Sequence, residues 1–295
     1  MSKTRIQGAV AALLLSVCLS SGAQDVEVRA EKLSGNIYMI TGQGGNIGLL
    51  TGEDGSFLVD DQFAPLTGKI IDVVKSVGGD VPRFLINTHF HGDHTGGNEN
   101  LGKQGTLIMS HQGVRERLAS GSSIAAFSMT TGPAPKAALP VVTYTETLRL
   151  HINGETVRIE HAPYAHTDGD SFVVFENADV IHAGDLFFNG FFPFVDAANG
   201  GTLRGVIAAA DRMLAIAGDN TRIIPGHGPL ASRGDLKRYR TMLAIANERL
   251  RKLKNQGVSA EDAVVMGPLD DIEAAWGGGI FDVDKWIQIV YPAVY

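Results

Sequence analysis

Two rhythms of apolar and polar positions divide this chain. Short, nearly unbroken apolar runs dominate its first two thirds: Asn36-Ile-Tyr-Met-Ile40, Ile47-Gly-Leu-Leu50, Ser56-Phe-Leu-Val-Asp60, Arg83-Phe-Leu-Ile-Asn-Thr88, Ser171-Phe-Val-Val-Phe175 and Val180-Ile-His-Ala-Gly-Asp185, with Ile223-Ile-Pro-Gly-His227 following later. Runs of this length, bounded by Gly, Pro or Asp, predict buried strands. Helical spacing of Ile70, Val73, Val74 and Val77 predicts a helix over 66–77 that Gly78-Gly79 stops. After Gly200 the pattern turns helical, over 203–217 and 236–254, with a last helix at 282–290 whose Trp286 faces inward. Trp276 is likewise read as a core residue. Residues 119–140 form the least regular stretch, a surface excursion without the composition of a linker. Two β-rich blocks, 36–61 and 142–183, show no sequence repeat. Strands alternating with helices predict two packed sheets between helical layers.

Between Thr88 and Gly97 the chain reads Thr-His-Phe-His-Gly-Asp-His-Thr-Gly-Gly, which places His89, His91, Asp93 and His94 within six positions. Neutral imidazole and carboxylate suit a zinc ion, and catalytic zinc keeps one position open. His89 and His91 are two apart, so in an extended segment their rings point the same way. Asp93 and His94 sit on the next bend, within reach of a second ion. The motif follows an apolar run and precedes Gly96-Gly97, the strand-then-loop setting in which open α/β sheets place their sites. Plain solvent-exposed turn residues are the weaker reading, because three His and one Asp in six residues at a Gly-bounded strand end need a reason.

His-x-His-x-Asp-His resembles the signature of the metallo-β-lactamase superfamily. Three later segments supply its remaining positions in the family's order: His166 before the strand at 171–175, Asp185 ending Val180–Asp185, and His227 after Ile223-Ile-Pro-Gly. The resemblance covers nearly the whole mature chain and implies an α/β fold, a four-layer αββα sandwich. It implies two zinc ions per chain, one on His89, His91 and His166, the other on Asp93, His94 and His227, with Asp185 bridging. For Asp60 it implies a supporting role behind the ligands, which the adjacent Asp61 could equally fill.

Departures from some branches sharpen the reading. The cysteine-bearing subclass of zinc β-lactamases lacks the histidine that stands here as His94, and the one cysteine, Cys18, lies elsewhere. A flavodiiron site would want a carboxylate at His91, so the set favours zinc over redox iron. A bridging Asp185 is shared with the glyoxalase II and lactonase branches. The other histidines, His111, His151, His161 and His182, are read as structural, His111 and His182 near enough to support the site. Five aromatics crowd Phe187–Phe194 directly after Asp185. Phe191 and Phe192, with Asn46, are expected at the substrate mouth, though core packing claims some of these rings. The Gly42-Gln-Gly-Gly-Asn46 loop is either a flap that closes over substrate, as in the family, or an ordinary Gly-rich hairpin.

The implied chemistry is hydrolysis by a zinc-bound hydroxide, formed because metal lowers the pKa of water to about 7. It attacks a carbonyl polarised by the three-histidine zinc, while Asp93 orients the nucleophile and passes its proton on. The amide of a β-lactam is the expected bond, from export and likeness to secreted β-lactamase-like proteins, and because the tail typical of glyoxalase II is lacking. A lactone, thioester or other ester is the alternative, and a non-hydrolytic metal-binding accessory protein a third reading.

Lys3 and Arg5, a 12-residue apolar stretch from Gly8 to Leu19, and Ser21-Gly-Ala23 predict a signal peptide over 1–23 and a hydrolase domain over 24–295. A bilayer needs about 20 residues, so this stretch predicts a periplasmic or secreted protein without lasting membrane insertion. Cys18 leaves with the peptide, and the mature protein then has no disulfide, thiolate ligand or cysteine nucleophile. Some 272 residues remain, enough for one α/β domain. Of 25 basic and 32 acidic residues, removal of Lys3 and Arg5 leaves 23 against 32, a charge of −9. That balance argues against a nucleic-acid partner and for a small-molecule substrate. No pattern sets the oligomeric state.

Overall fold

The computed structural model of the protein describes residues 26–294, so the expected signal peptide lies outside the described residues. The first sheet starts with β1 (Arg29–Ser34), β2 (Ile37–Thr41), β3 (Ile47–Leu50) and β4 (Phe57–Val59), which run antiparallel. Beyond β4 the pairing becomes parallel through β5 (Phe84–Asn87) and β6 (Leu107–His111). Helix α1 (Thr67–Ser76) covers the link from β4 to β5, and two short helices, α2 (Gly92–Thr95) and α3 (Asn98–Lys103), follow the histidine motif. After α4 (Gln112–Ser120) the chain leaves both sheets as a hairpin, β7 (Ser122–Ile124) and β8 (Met129–Thr131), then returns as β9 (Val142–Tyr144) beside β6.

The second sheet orders β10 (Thr147–Ile152), β11 (Glu155–His161), β12 (Ser171–Phe175), β13 (Val180–Phe188), β14 (Arg222–His227) and β15 (Ala231–Ser232) side by side. Only β13 and β14 are parallel. Helix α5 (Leu203–Ile216) makes the crossover between them, and α6 (Arg233–Asn255), α7 (Ala260–Val265), α8 (Asp270–Trp276) and α9 (Val283–Val290) complete the outer layer. The strand period of two separates three cores. Phe57, Val59, Ile86, Val173 and Phe175 meet between the sheets; Leu58 and Leu85 turn outward onto Ile70 and Val74 of α1. Phe172, Val174 and Ile181 turn the other way, onto Val206, Leu243 and Trp286 of the C-terminal helices. The result is the expected order helix, sheet, sheet, helix.

Helix α6 begins three residues before its apolar periodicity does, because Ser232 and Asp235 form a reciprocal capping box. The irregular 119–140 stretch contains the β7–β8 hairpin, too short and too exposed to show a clear strand pattern. Since β11 and β13 are both antiparallel to β12, the ends of β11, β13 and β14 share one edge of their sheet. The loops that follow β4 and β5 meet them there, and the seven candidate metal ligands lie on that edge.

Candidate metal centre

A register break in β13 delivers the central carboxylate. Pairing with β14 shifts on both sides of Gly184, which has φ +53°, and a Cβ there would lie 2.8 Å from the Thr88 side chain. Only glycine fits both the backbone and the gap. Asp185 is thereby turned between two clusters. Its Oδ2 lies 3.4 Å from His166 Nε2 and 3.8 Å from His89 Nε2, while its Oδ1 lies 3.0 Å from His94 Nε2 and 3.4 Å from His227 Nε2. His91 completes the first cluster, its Nδ1 2.9 Å from His166 Nε2, and Asp93 completes the second, 3.3 Å from His227 Nε2 and 3.6 Å from His94 Nε2. In each of the two groups, His89, His91, His166 and Asp185, and Asp93, His94 and His227, one ligand atom per residue lies within 4.8 Å of the others.

A second ring of groups orients these imidazoles. His94 Nδ1 is 2.8 Å from Asp60 Oδ2, His166 Nδ1 2.8 Å from the Phe194 carbonyl, and His91 Nε2 3.1 Å from Asp196 Oδ2. Carboxylates and carbonyls only accept, so these nitrogens carry the protons and the opposite ones face the centre. Thr88 donates its hydroxyl and its N–H to Asp60, both at 2.7 Å, which leaves Thr88 Oγ1 to accept from His89 Nδ1 at 3.1 Å. His89 Nε2 is then buried with no partner, and no properly directed hydrogen bond reaches buried Asp185 Oδ1. Unpaired buried polar atoms are costly, and here both converge on the same small space. Five imidazoles and two carboxylates with their acceptor atoms turned inward fit a zinc-type ion.

Electrostatics separate the two clusters. Burial works against charge on His227, but Asp185 and Asp93 outweigh it and raise its pKa to about 9. Burial likewise opposes charge on His94, and Asp185, Asp93 and Asp60 together hold its pKa well above the ordinary range. On the other side burial, with His94 and the other imidazoles adding to it, pushes His89 well below that range, and burial brings His166 down to about 4. Asp93 resists its burial through His94 and His227 and falls to about 2. Asp185 also stays ionised, because the surrounding imidazoles overcome its burial.

The structure distinguishes the two adjacent acids. Asp60 adopts φ +64° at the end of β4, which turns its carboxylate back onto Thr88 and His94; Asp61 points the other way and accepts the Gly97 N–H at 2.9 Å. Asn46 is not at the mouth as expected. It is buried, donating to the Pro225 and Gly228 carbonyls at 2.9 Å, while Gly45 N–H donates to Asp93 O. The 42–46 loop is tied down by these bonds, in keeping with the hairpin reading. Phe192 is also displaced from its expected place: fully buried, it stacks on Trp286 at 4.4 Å in the helical core. Phe191 packs edge-on against Phe188 at 5.6 Å, outside the cavity at the centre. His182 is buried and donates to the Asn46 carbonyl at 3.0 Å, His111 and His161 stack on each other at 3.8 Å, and His151 lies beside Thr156 on an exposed strand. Asp196, which sequence reasoning missed, lies 105 residues beyond His91, and no motif spacing links them.

A double-sheet sandwich with an imidazole- and carboxylate-lined metal site on one edge defines a metal-dependent hydrolase class. The metallo-beta-lactamase superfamily profile matches residues 40–227, and the chain belongs to that superfamily, whose members are hydrolases. A hydroxyacylglutathione hydrolase of Nitrosococcus oceani is 28% identical over 151 residues, 48% of this chain and 47% of its own, so the chain spans about half that relative's length. Among solved structures, the DIM-1 metallo-beta-lactamase superposes with a TM-score of 0.61 at 17% identity over 75% of this chain and 100% of its own. The metallo-beta-lactamase of Pontibacter korlensis gives 0.59 at 17% identity, over 74% and 99%. The sec-alkylsulfatase Pisa1 from Pseudomonas sp. gives 0.63 at 17% identity, over 91% of this chain and 50% of its own. These structural likenesses are of fold. Among the described residues no helix is long and apolar enough to cross a membrane.

Proposed function

We propose that this protein is a dinuclear zinc hydrolase of acyl bonds. His89, His91 and His166 would hold one zinc and Asp93, His94 and His227 the other, with Asp185 shared. The observation that carries this reading is the division of Asp185, one oxygen toward each histidine cluster. When bound, zinc supplies Lewis acidity and lowers the pKa of coordinated water to about 7. Asp93, ionised and 27% exposed on the open side, can orient an attacking water and receive its proton. Asp60, Asp196 and the Phe194 carbonyl keep His94, His91 and His166 in the tautomer that presents a lone pair to the centre.

This machinery does not itself select the leaving atom. Ester or thioester cleavage is the primary reading, supported by the hydroxyacylglutathione hydrolase likeness in sequence. β-Lactam ring opening, the bond expected from sequence, is the second, supported by the likeness in fold to two β-lactamases over nearly their whole length. The test is turnover by zinc-loaded protein of a chromogenic cephalosporin, a penicillin, a carbapenem, an acyl-homoserine lactone and a glutathione thioester. Hydrolysis abolished by chelation and by His89→Ala is expected. A protein holding two zinc ions that cleaves no acyl bond would return the non-hydrolytic reading.

A further inference from the structure

We propose that the substrate is uncharged and apolar beside its scissile bond, and that Phe63, Ile124, Phe127, Met129 and Ile280 select it. This inference rests on the acyl-hydrolase reading and narrows its substrate. A cavity of about 240 Å³ opens onto Asp93, Asp185 and His227. Apart from residues of the metal centre, its described wall is glycine and apolar side chains, with no Lys, Arg, Ser, Thr, Tyr, Asn or Gln. Outside the metal centre no wall group can therefore donate a charge-assisted hydrogen bond to a substrate carboxylate. The cation of the adjoining cavity, Arg117, is already forked onto Asp168 at 2.8 and 2.5 Å and bonded to Asn199 at 2.6 Å. Recruiting it would break that pairing.

Exposed apolar side chains scattered singly carry no message, but these converge. Phe63 (37% exposed), Phe127 (40%), Met129 (50%) and Ile280 (55%) come from the loop after β4, the β7–β8 hairpin and the turn before α9, and meet at this one opening. The hairpin is tied to the centre through rings: Phe127 packs on Phe194 at 5.0 Å, and Phe194 on His91 at 5.7 Å. The cavity is smaller than the roughly 300 Å³ that encloses a drug-sized ligand. It thus takes one modest acyl chain or ring beside the reacting carbonyl. A β-lactam or glutathione thioester, each bearing a carboxylate, would gain nothing from this wall.

The experiment compares neutral p-nitrophenyl alkanoates from acetate to octanoate with p-nitrophenyl monoesters of dicarboxylic acids of equal length, on zinc-loaded protein with His89→Ala as background. We expect kcat/KM to rise about fourfold per added methylene until the cavity is filled, and to drop at least tenfold when the chain ends in a carboxylate. Met129→Lys, at an exposed position, should reverse the charge preference with zinc content unchanged. In metal-free protein at pH 10, where His227 is neutral, octanamide should shift the Met129 methyl NMR signal, and suberic acid monoamide should not. Equal or better turnover of the carboxylate-ended esters, or equal binding of the two amides, overturns the inference while leaving the hydrolase reading standing. Selective binding of octanamide with no ester cleaved would instead overturn the hydrolase reading.

Discussion

At Asp185 one carboxylate serves two imidazole clusters, so a change at this residue acts on both. Asp185→Asn keeps the size, removes the charge and leaves an amide nitrogen facing one histidine cluster. Elemental analysis of the wild type should find close to two zinc ions per chain, falling to one or fewer in the variant, with kcat/KM reduced at least a hundredfold. Two retained metals and full activity would show that Asp185 is not shared. Asp196 acts one step further out, through His91 Nε2, and is itself held by Asn199 at 2.6 Å. Asp196→Asn should weaken zinc affinity about 10- to 100-fold in a chelator competition, and Asp196→Glu should restore part of it. The seven converging residues were legible because each stands in a motif at a strand end. Asp196 was not, since its pairing with His91 exists only after two distant loops fold together. Asp60 and Asp61 could not be told apart in sequence, because the choice rests on a positive φ at Asp60.

Element by element, the strands were legible wherever burial on both faces made them unbroken apolar runs. What escaped was the purpose of the aromatics after Asp185. Strand β13 continues to Phe188, and the chain beyond it then dives beneath α9, so Phe192 joins the helical core instead of the mouth. The mouth is made by the β7–β8 hairpin, whose apolar residues are too sparse and exposed to show a period. The α9 contact has a measurable consequence. Trp286 is fully buried and its Nε1 donates to the Pro193 carbonyl at 2.6 Å, next to the Phe194 carbonyl that orients His166. Trp286→Ala should cost about 3–5 kcal/mol from the cavity it leaves, a fall of about 10 °C in Tm at this chain size. Its zinc affinity should fall as well, whereas Trp286→Phe should preserve most of both. A drop in Tm with zinc affinity unchanged would show that α9 does not reach the centre through Pro193.

Across the whole molecule, the charges of the metal centre set the pH range over which the fold is stable. Export is proposed from residues outside the described part, and mass spectrometry of native protein should find an N-terminus near Gln24; an intact Met1 in cytoplasmic material would overturn it. Stability against pH follows from opposite shifts within one site. His227 is raised to about 9 in the metal-free fold from an ordinary 6.5, so its contribution is complete below 6.5 and is lost as pH rises through 9. His166 is lowered to about 4, so the unfolded chain binds the extra proton between 4 and 6.5, and stability is lost as pH falls through that window. The metal-free protein should therefore melt highest near pH 6.5 and less well on either side. Zinc held as proposed would take the place of the proton on His94 and His227 and would stabilise by binding only the folded chain. Calorimetry of chelated and zinc-loaded protein from pH 5 to 9 checks this: the alkaline decline should vanish with metal, and the gain in Tm from zinc should grow with pH. A metal-free protein whose Tm is flat from 6.5 to 9 would mean that His227 is not charged by Asp93 and Asp185, and that the second cluster is looser than this structure places it.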